Sequence, residues 1–353
     1  MIYFIILSFL LLVLSFDKGS KIEKLSLLPL LMMIILCGFR GYDVGTDTES
    51  YLDSYNSRNL WDYSVGEPLY NLSMDIARFI GLGNTGFLLL TALLTYVPLY
   101  TALRKMSPNI NYSMLIYVTF SVYFFCNSFN VIRNSISASF ILFVLYYISQ
   151  KEYKRIVIYS LVAIGFHFSA IAILPLLYVA YKIENIDIKY AYAILFVSVI
   201  WGLSSNYRDV ATLLNAQLMR YDNSIVEHYN TIYFNDLAGH EFNANGIIMQ
   251  IAPITLCSML SFLTNSCNKY LRAILFLGAI LGNIFVSILY VYRITLFLNI
   301  VAIVILPQII ESRVTQKGVR ICVHSLVLML FTYFIICAIK ESEAFVVFPY
   351  HFA

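Results

Sequence analysis

Apolar runs of roughly 15–20 residues recur along this chain, and no other feature restricts its fold as strongly. A helix that crosses the hydrocarbon core of a bilayer needs about 20 predominantly apolar residues, because its backbone polar groups must be satisfied within the segment itself. The runs fall near 2–16, 25–39, 86–103, 111–127, 131–149, 156–166, 168–181, 190–204, 246–263, 271–289, 294–310 and 321–339. Several are shorter than a square crossing requires and are expected to be tilted, partly shielded or half-length. Of 353 residues, 60% are hydrophobic and 12% charged, against about 25% charged in a soluble domain. Too little polar surface remains to cover a water-soluble globule. The expected fold is all-α: a polytopic transmembrane helical bundle of about twelve membrane segments, read as a single integral-membrane domain over 1–353.

The first run, MIYFIILSFLLLVLSF, lacks a basic leading region and an A-x-A-like cleavage site, so it reads as the first span and not as a secretory signal. Six cysteines are scattered, mostly within apolar runs, with no C-x-x-C pair and no Cys/His cluster at ligand spacing. A structural zinc or a disulfide framework is not expected. The net charge of +3 offers no nucleic-acid arm. No P-loop or Rossmann glycine signature appears either, so no cofactor is expected.

The stretch 156–181 admits two readings, one long span or two short ones broken near His167. Cytoplasmic loops carry an excess of Lys and Arg. The two-segment reading, with the N-terminus outside, puts 15 of the 23 basic residues inside and 8 outside, whereas a single span leaves 12 against 11. Positive-inside counting therefore favours the break, with both termini outside. Ten of the eleven lysines then lie inside, while seven arginines (Arg40, Arg58, Arg78, Arg133, Arg208, Arg220 and Arg293) lie outside. Arginine's planar fork suits bidentate phosphate binding, which a lysine point charge does not reproduce. Two outer segments, 40–85 and 205–245, are long, while every inner loop is ten residues or fewer. Chemistry is expected on the outer side, on loops held by a rigid scaffold.

The first outer segment opens Arg40-Gly41-Tyr42-Asp43-Val44-Gly45-Thr46-Asp47-Thr48-Glu49-Ser50-Tyr51. Gly45 reads as a turn, and Thr46 with Glu49 as a capping box for a helix through Tyr55, with Asp47 in its first turn. Glu67-Pro68 precedes Leu69, Leu72, Ile76, Phe79 and Ile80, one apolar stripe of a helix with proline in its first turn, expected along the outer interface. Arg133 and Arg293 fall at outer turns between spans. His167, in Gly165-Phe166-His167-Phe168-Ser169-Ala170, has the side-chain type best suited to proton transfer near neutral pH, although a lone histidine in an apolar stretch is commonly a satisfied structural residue.

Arg40 through Tyr51, Asn130-Val131-Ile132-Arg133, Phe166-His167-Phe168-Ser169-Ala170-Ile171, Tyr292-Arg293 and Pro349-Tyr350 resemble, in order and spacing, the EpsG-like branch of the Wzy-type polysaccharide polymerases. Asn134 stands where that pattern leads one to expect glutamine. The resemblance implies a glycosyltransferase in the bacterial inner membrane, with its active site facing the periplasm. It would join undecaprenyl-pyrophosphate-linked oligosaccharide repeats into O-antigen, capsule or exopolysaccharide, alongside membrane lipids and with a chain-length regulator and a flippase as pathway partners. Such a donor carries its own leaving group. On this reading Arg40, Arg133 and Arg293 hold the pyrophosphate, His167 and Asp47 compete for the role of base, and Glu67, Tyr51 and Trp61 are candidate contacts for the acceptor or its sugars. A carboxylate nucleophile with retention stays open. Competing readings are an O-antigen ligase or another lipid-linked sugar transferase, and a non-enzymatic transporter. The transporter lacks the internal repeat that alternating access usually brings.

Overall fold

Helix is the whole of the described secondary structure apart from one isolated antiparallel bridge, Arg40 to Phe352. The computed structural model describes residues 2–16, 25–57, 67–120, 124–204, 244–264, 267–286, 289–313, 347 and 350–353. In order these form α1 (Ile2–Ser15), α2 (Leu27–Gly38), α3 (Thr48–Ser57), α4 (Pro68–Phe79), α5 (Asn84–Met106), α6 (Ile110–Thr119), α7 (Asn127–Asn130), α8 (Ile132–Gln150) and α9 (Tyr153–Phe166). A 3-10 turn, Phe168–Ala172, precedes α10 (Ile173–Ile183), α11 (Ile188–Leu203), α12 (Ala244–Phe262), α13 (Lys269–Ile284), α14 (Leu289–Asn299) and α15 (Ala302–Arg313). Asn84–Met106, Ile132–Gln150 and the stretch Arg293–Ser312, which runs from α14 through a turn into α15, are long and apolar enough to cross a membrane, and several shorter apolar helices accompany them. The chain is an all-α membrane bundle.

Residues Met1–Ala172 with Ile303–Ala353 make one compact unit, and Ile173–Ala302 the other. In the first, α5 packs against α2 and α8, α8 against α9, and α1 against α6. Aromatic faces join α8 to α9: Phe140 stacks on Phe166 at 5.6 Å and Phe143 on Tyr159 at 4.7 Å. Lys151, left-handed at φ 58, ends α8 so that the chain can turn into α9. In the second unit α13 packs against α10, α11, α12 and α14. Asn283 on α13 accepts from Thr255 Oγ1 (2.9 Å) and donates to Ser198 Oγ (2.9 Å), tying three helices by a satisfied buried amide.

Three sequence expectations meet the structure directly. Thr46 does not cap a helix: α3 starts two residues later, and the Thr46 hydroxyl donates instead to Asn130 Oδ1 at 3.0 Å. The Thr48 hydroxyl donates back to the Val44 carbonyl at 2.7 Å, and Gly45 takes φ +98 with Asn130 Oδ1 and Phe129 O close by. A tertiary acceptor thus outcompeted the local capping pattern. The helix after Glu67-Pro68 is present with proline in its first turn. The later part of its apolar stripe faces outward, Ile76 being 45% and Phe79 77% exposed, while Leu69 and Leu72 are half-buried and Tyr70, Asn71, Ser73, Met74, Asp75 and Ala77 are buried. That inverted arrangement suits a helix whose outer face meets lipid. The run 156–181 is interrupted at His167, where α9 ends. Most of the second outer segment, 205–245, and the run at 321–339 lie outside the described residues.

Candidate functional site

Three residues far apart in sequence meet where α4 begins, α8 begins and α9 ends. Glu67 is the N-cap residue of α4, in extended backbone. A carboxylate there is favoured by the helix dipole and would ordinarily accept from the first-turn amides. Its side chain makes no such bond, because both oxygens are committed elsewhere. His167 Nδ1 lies 2.6 Å from Glu67 Oε1, and the Phe168 amide donates to the same oxygen at 3.4 Å. Arg133 Nη1 donates to Glu67 Oε2 at 2.5 Å.

Local sequence explains the convergence. His167 ends α9 in extended backbone, its amide donating to the Ala163 carbonyl at 3.0 Å, and so projects past the helix. Gly165 lets α9 approach α4: a Cβ there would sit 2.7 Å from Leu69 Cγ. Arg133 is the second residue of α8 and is flanked by the rings of Tyr51 and Tyr70, each 5.7 Å from its guanidinium. A cation at a helix N-terminus opposes the dipole, and Glu67 supplies the compensating charge. Tyr70 is held in turn by edge contacts with Tyr51 (6.1 Å) and Phe87 (6.3 Å), while Tyr55 stacks on Phe87 at 4.2 Å.

The electrostatics follow from this geometry. Burial alone would push the Glu67 carboxyl up, but the hydrogen bond with His167 and the Arg133 guanidinium outweigh it and hold the group below the usual carboxylate range. Glu67 is therefore ionised and only accepts, so the proton of its short contact with His167 sits on Nδ1. In neutral imidazole the basic nitrogen is then Nε2. Glu67 orients the histidine and anchors the arginine at once, and the Arg133 side chain remains 36% exposed.

The other expected residues are placed elsewhere. Arg40 is fully buried, with Nη1 donating to the Cys37 carbonyl (2.6 Å) and Sγ (3.3 Å), Nη2 to the Phe129 carbonyl (3.2 Å) and Nε to Thr48 Oγ1 (3.2 Å). These four hydrogen bonds fasten α2, α3 and α7 together. Asp47 is half-buried just before α3, and its carbonyl accepts from the Tyr51 amide at 3.0 Å. Among the described residues His167 and Arg133 pair with Glu67 and not with the Asp47 carboxylate. Arg293 is half-buried on α14, in the second compact unit. Tyr51 borders Arg133, and Trp61 lies outside the described residues. Tyr70 escaped the sequence reading. Its only signal is its position three residues after Glu67, on a neighbouring stretch of one helix face. Backbone pairing also brings the closing residues onto the first outer segment: Gly41 N–H donates to the His351 carbonyl and Ala353 N–H to the Phe39 carbonyl, both at 2.9 Å.

The EpsG family profile matches residues 23–352. The chain belongs to the EpsG family. No curated protein and no solved structure matches it. Membership suggests a polysaccharide polymerase-type function for this membrane protein. The matched span includes Glu67, Arg133 and His167, as well as the closing Tyr350.

Proposed function

We propose that this EpsG-family protein is a Wzy-type polymerase that joins undecaprenyl-pyrophosphate-linked oligosaccharide repeats at the periplasmic face of the inner membrane. The observation that carries the reading is the His167–Glu67–Arg133 cluster, which pairs an oriented base with a partly exposed fixed cation. The acceptor sugar's hydroxyl gives its proton to His167 Nε2 as its oxygen attacks the anomeric carbon of the donor glycan. The new C–O bond forms as the bond from that carbon to the pyrophosphate oxygen breaks. Both electrons of the broken bond leave with the pyrophosphate, whose growing charge Arg133 meets with its remaining donors. The proton on His167 then passes to the released pyrophosphate or to water.

Glu67 does not serve as the nucleophile on this reading, because each of its oxygens is committed to a cationic or protonated partner. It holds the imidazole in one tautomer and stabilises the imidazolium that forms, the role an acidic partner plays beside a catalytic histidine. The test is a glycan ladder made by the purified protein in nanodiscs, fed a lipid-linked repeat. A ladder lengthening with time supports the polymerase. Transfer of a single unit to a lipid-A core acceptor, with no ladder, overturns it in favour of a ligase.

A further inference from the structure

Tyr70 combines features that an ordinary core tyrosine lacks. Its residue is only 4% exposed, and among the described residues its hydroxyl has no hydrogen-bond partner. A buried hydroxyl left unsatisfied costs about 1–3 kcal/mol, so most buried tyrosines find an acceptor. The hydroxyl lies in electrostatic reach of Tyr51, Arg133, Glu67 and Arg40. Burial and the neighbouring Tyr51 push the phenol well above its ordinary range, so it stays protonated and offers a donor. The Arg133 guanidinium lies 5.7 Å from the Tyr70 ring, and its Nε is likewise buried and without a hydrogen-bond partner among the described residues, although Nη1 is bound to Glu67. Two unmet donors, one on a cation, thus share one aromatic-walled corner that also holds the N-terminus of α8, where the dipole favours an anion.

We propose that the Tyr70 hydroxyl and Arg133 Nε form a two-donor cradle for one anionic phosphate oxygen of the lipid-linked substrate. The inference rests on the proposed pyrophosphate-bearing donor and adds a ligand to it. An oxygen received there is held from two sides, while Glu67 fixes the far edge of the guanidinium so that the cradle is formed before the substrate arrives. Tyr51, half-buried, borders the same corner, in edge contact with Tyr70 and 5.7 Å from the Arg133 guanidinium. On this proposal Tyr70 is a substrate-binding residue, and its hydroxyl, without a partner among the described residues, is the mark of that task.

The conservative variant Tyr70→Phe isolates the hydroxyl, since the ring and its contacts with Tyr51 and Phe87 are kept. Protein in nanodiscs is measured for thermal stability and for binding of polyprenyl pyrophosphate and of the matched polyprenol, which lacks the phosphates. The expected result is an unchanged or higher Tm together with a 10- to 100-fold weaker Kd for the pyrophosphate lipid only, the loss of a hydrogen bond to a charged group being about 1.5–3 kcal/mol. Unchanged binding of the pyrophosphate lipid by Tyr70→Phe overturns the cradle while leaving the polymerase reading intact. Equal weakening for the polyprenol also overturns it, because the residue would then serve the chain and not the phosphate. A wild-type protein that fails to distinguish the two lipids removes the polymerase reading and the cradle together.

Discussion

Glu67→Gln is the change that separates the parts of the proposed centre most cleanly. It alters one atom type and one charge, at nearly constant volume, in a residue only 6% exposed. The wild-type carboxylate accepts from His167 Nδ1 at 2.6 Å and from Arg133 Nη1 at 2.5 Å. An amide keeps one acceptor and turns a donor toward the other partner, so at least one charge-assisted bond is lost, worth about 1.5–3 kcal/mol. Arg133 is a third exposed and water screens its share, so the expected destabilisation is about 1–3 kcal/mol. The catalytic loss should be larger. His167 is then free to carry its proton on Nε2, which removes the base, and the corresponding acid-to-amide change beside a serine-protease histidine lowers kcat about 10⁴-fold. Here we expect a fall of at least about 10² in the initial rate of ladder formation, with KM for the lipid-linked repeat moving less. The assay compares wild type, Glu67→Gln and the exposed control Asp53→Asn in nanodiscs, with Tm measured alongside. A Glu67→Gln protein that polymerises within about threefold of wild type would refute the reasoning.

The Glu67 carboxyl is held below its unfolded value of about 4.3, so its stabilising contribution is fully present above that pH and is lost as pH falls through the folded value. The Tm gap between wild type and Glu67→Gln should be flat from about pH 5 upward as far as this group is concerned, and should close below about pH 4. Arg133→Lys keeps the charge but not the fork, and should lower the polymerisation rate about 10²–10³-fold at normal protein levels; full-length polymer from that variant would take Arg133 out of the site. Gly165→Val presses on Leu69 and should separate α9 from α4, reducing activity by weakening the His167–Glu67 contact, with only partial loss of Tm. Cysteines placed at Asn56 and Gln150 of a cysteine-free protein test the orientation: impermeant thiol reagents should reach the first from the periplasm and the second only after permeabilisation.

The long apolar helices were legible because lipid imposes an unbroken apolar run on a segment that crosses it. The runs at 131–149 and 190–204 became Ile132–Gln150 and Ile188–Leu203, shifted by one or two residues. The helix end at His167 falls inside the run that charge counting divided into two segments, a count that acts on loops and not on the helix itself. Thr46–Glu49 misled because a capping box is a local pattern, while Asn130, remote in sequence, offered Thr46 a better partner. Arg40 and Arg133 look alike in sequence, each an arginine near the end of an apolar run. Only the fold separates them, by surrounding one with backbone carbonyls and setting the other against a carboxylate and two aromatic rings. The meeting of Glu67 with His167 spans a hundred residues and has no sequence period, so pattern reading could name both residues but not join them.

The most direct test of the central claim is a paired measurement on His167→Gln in nanodiscs: binding of the lipid-linked repeat, and glycan ladder formation from it. A glutamine can keep a hydrogen bond to Glu67 but cannot accept the hydroxyl proton, so binding should stay within a few-fold of wild type while the ladder disappears. Full-length ladder from His167→Gln at the wild-type rate would contradict the account.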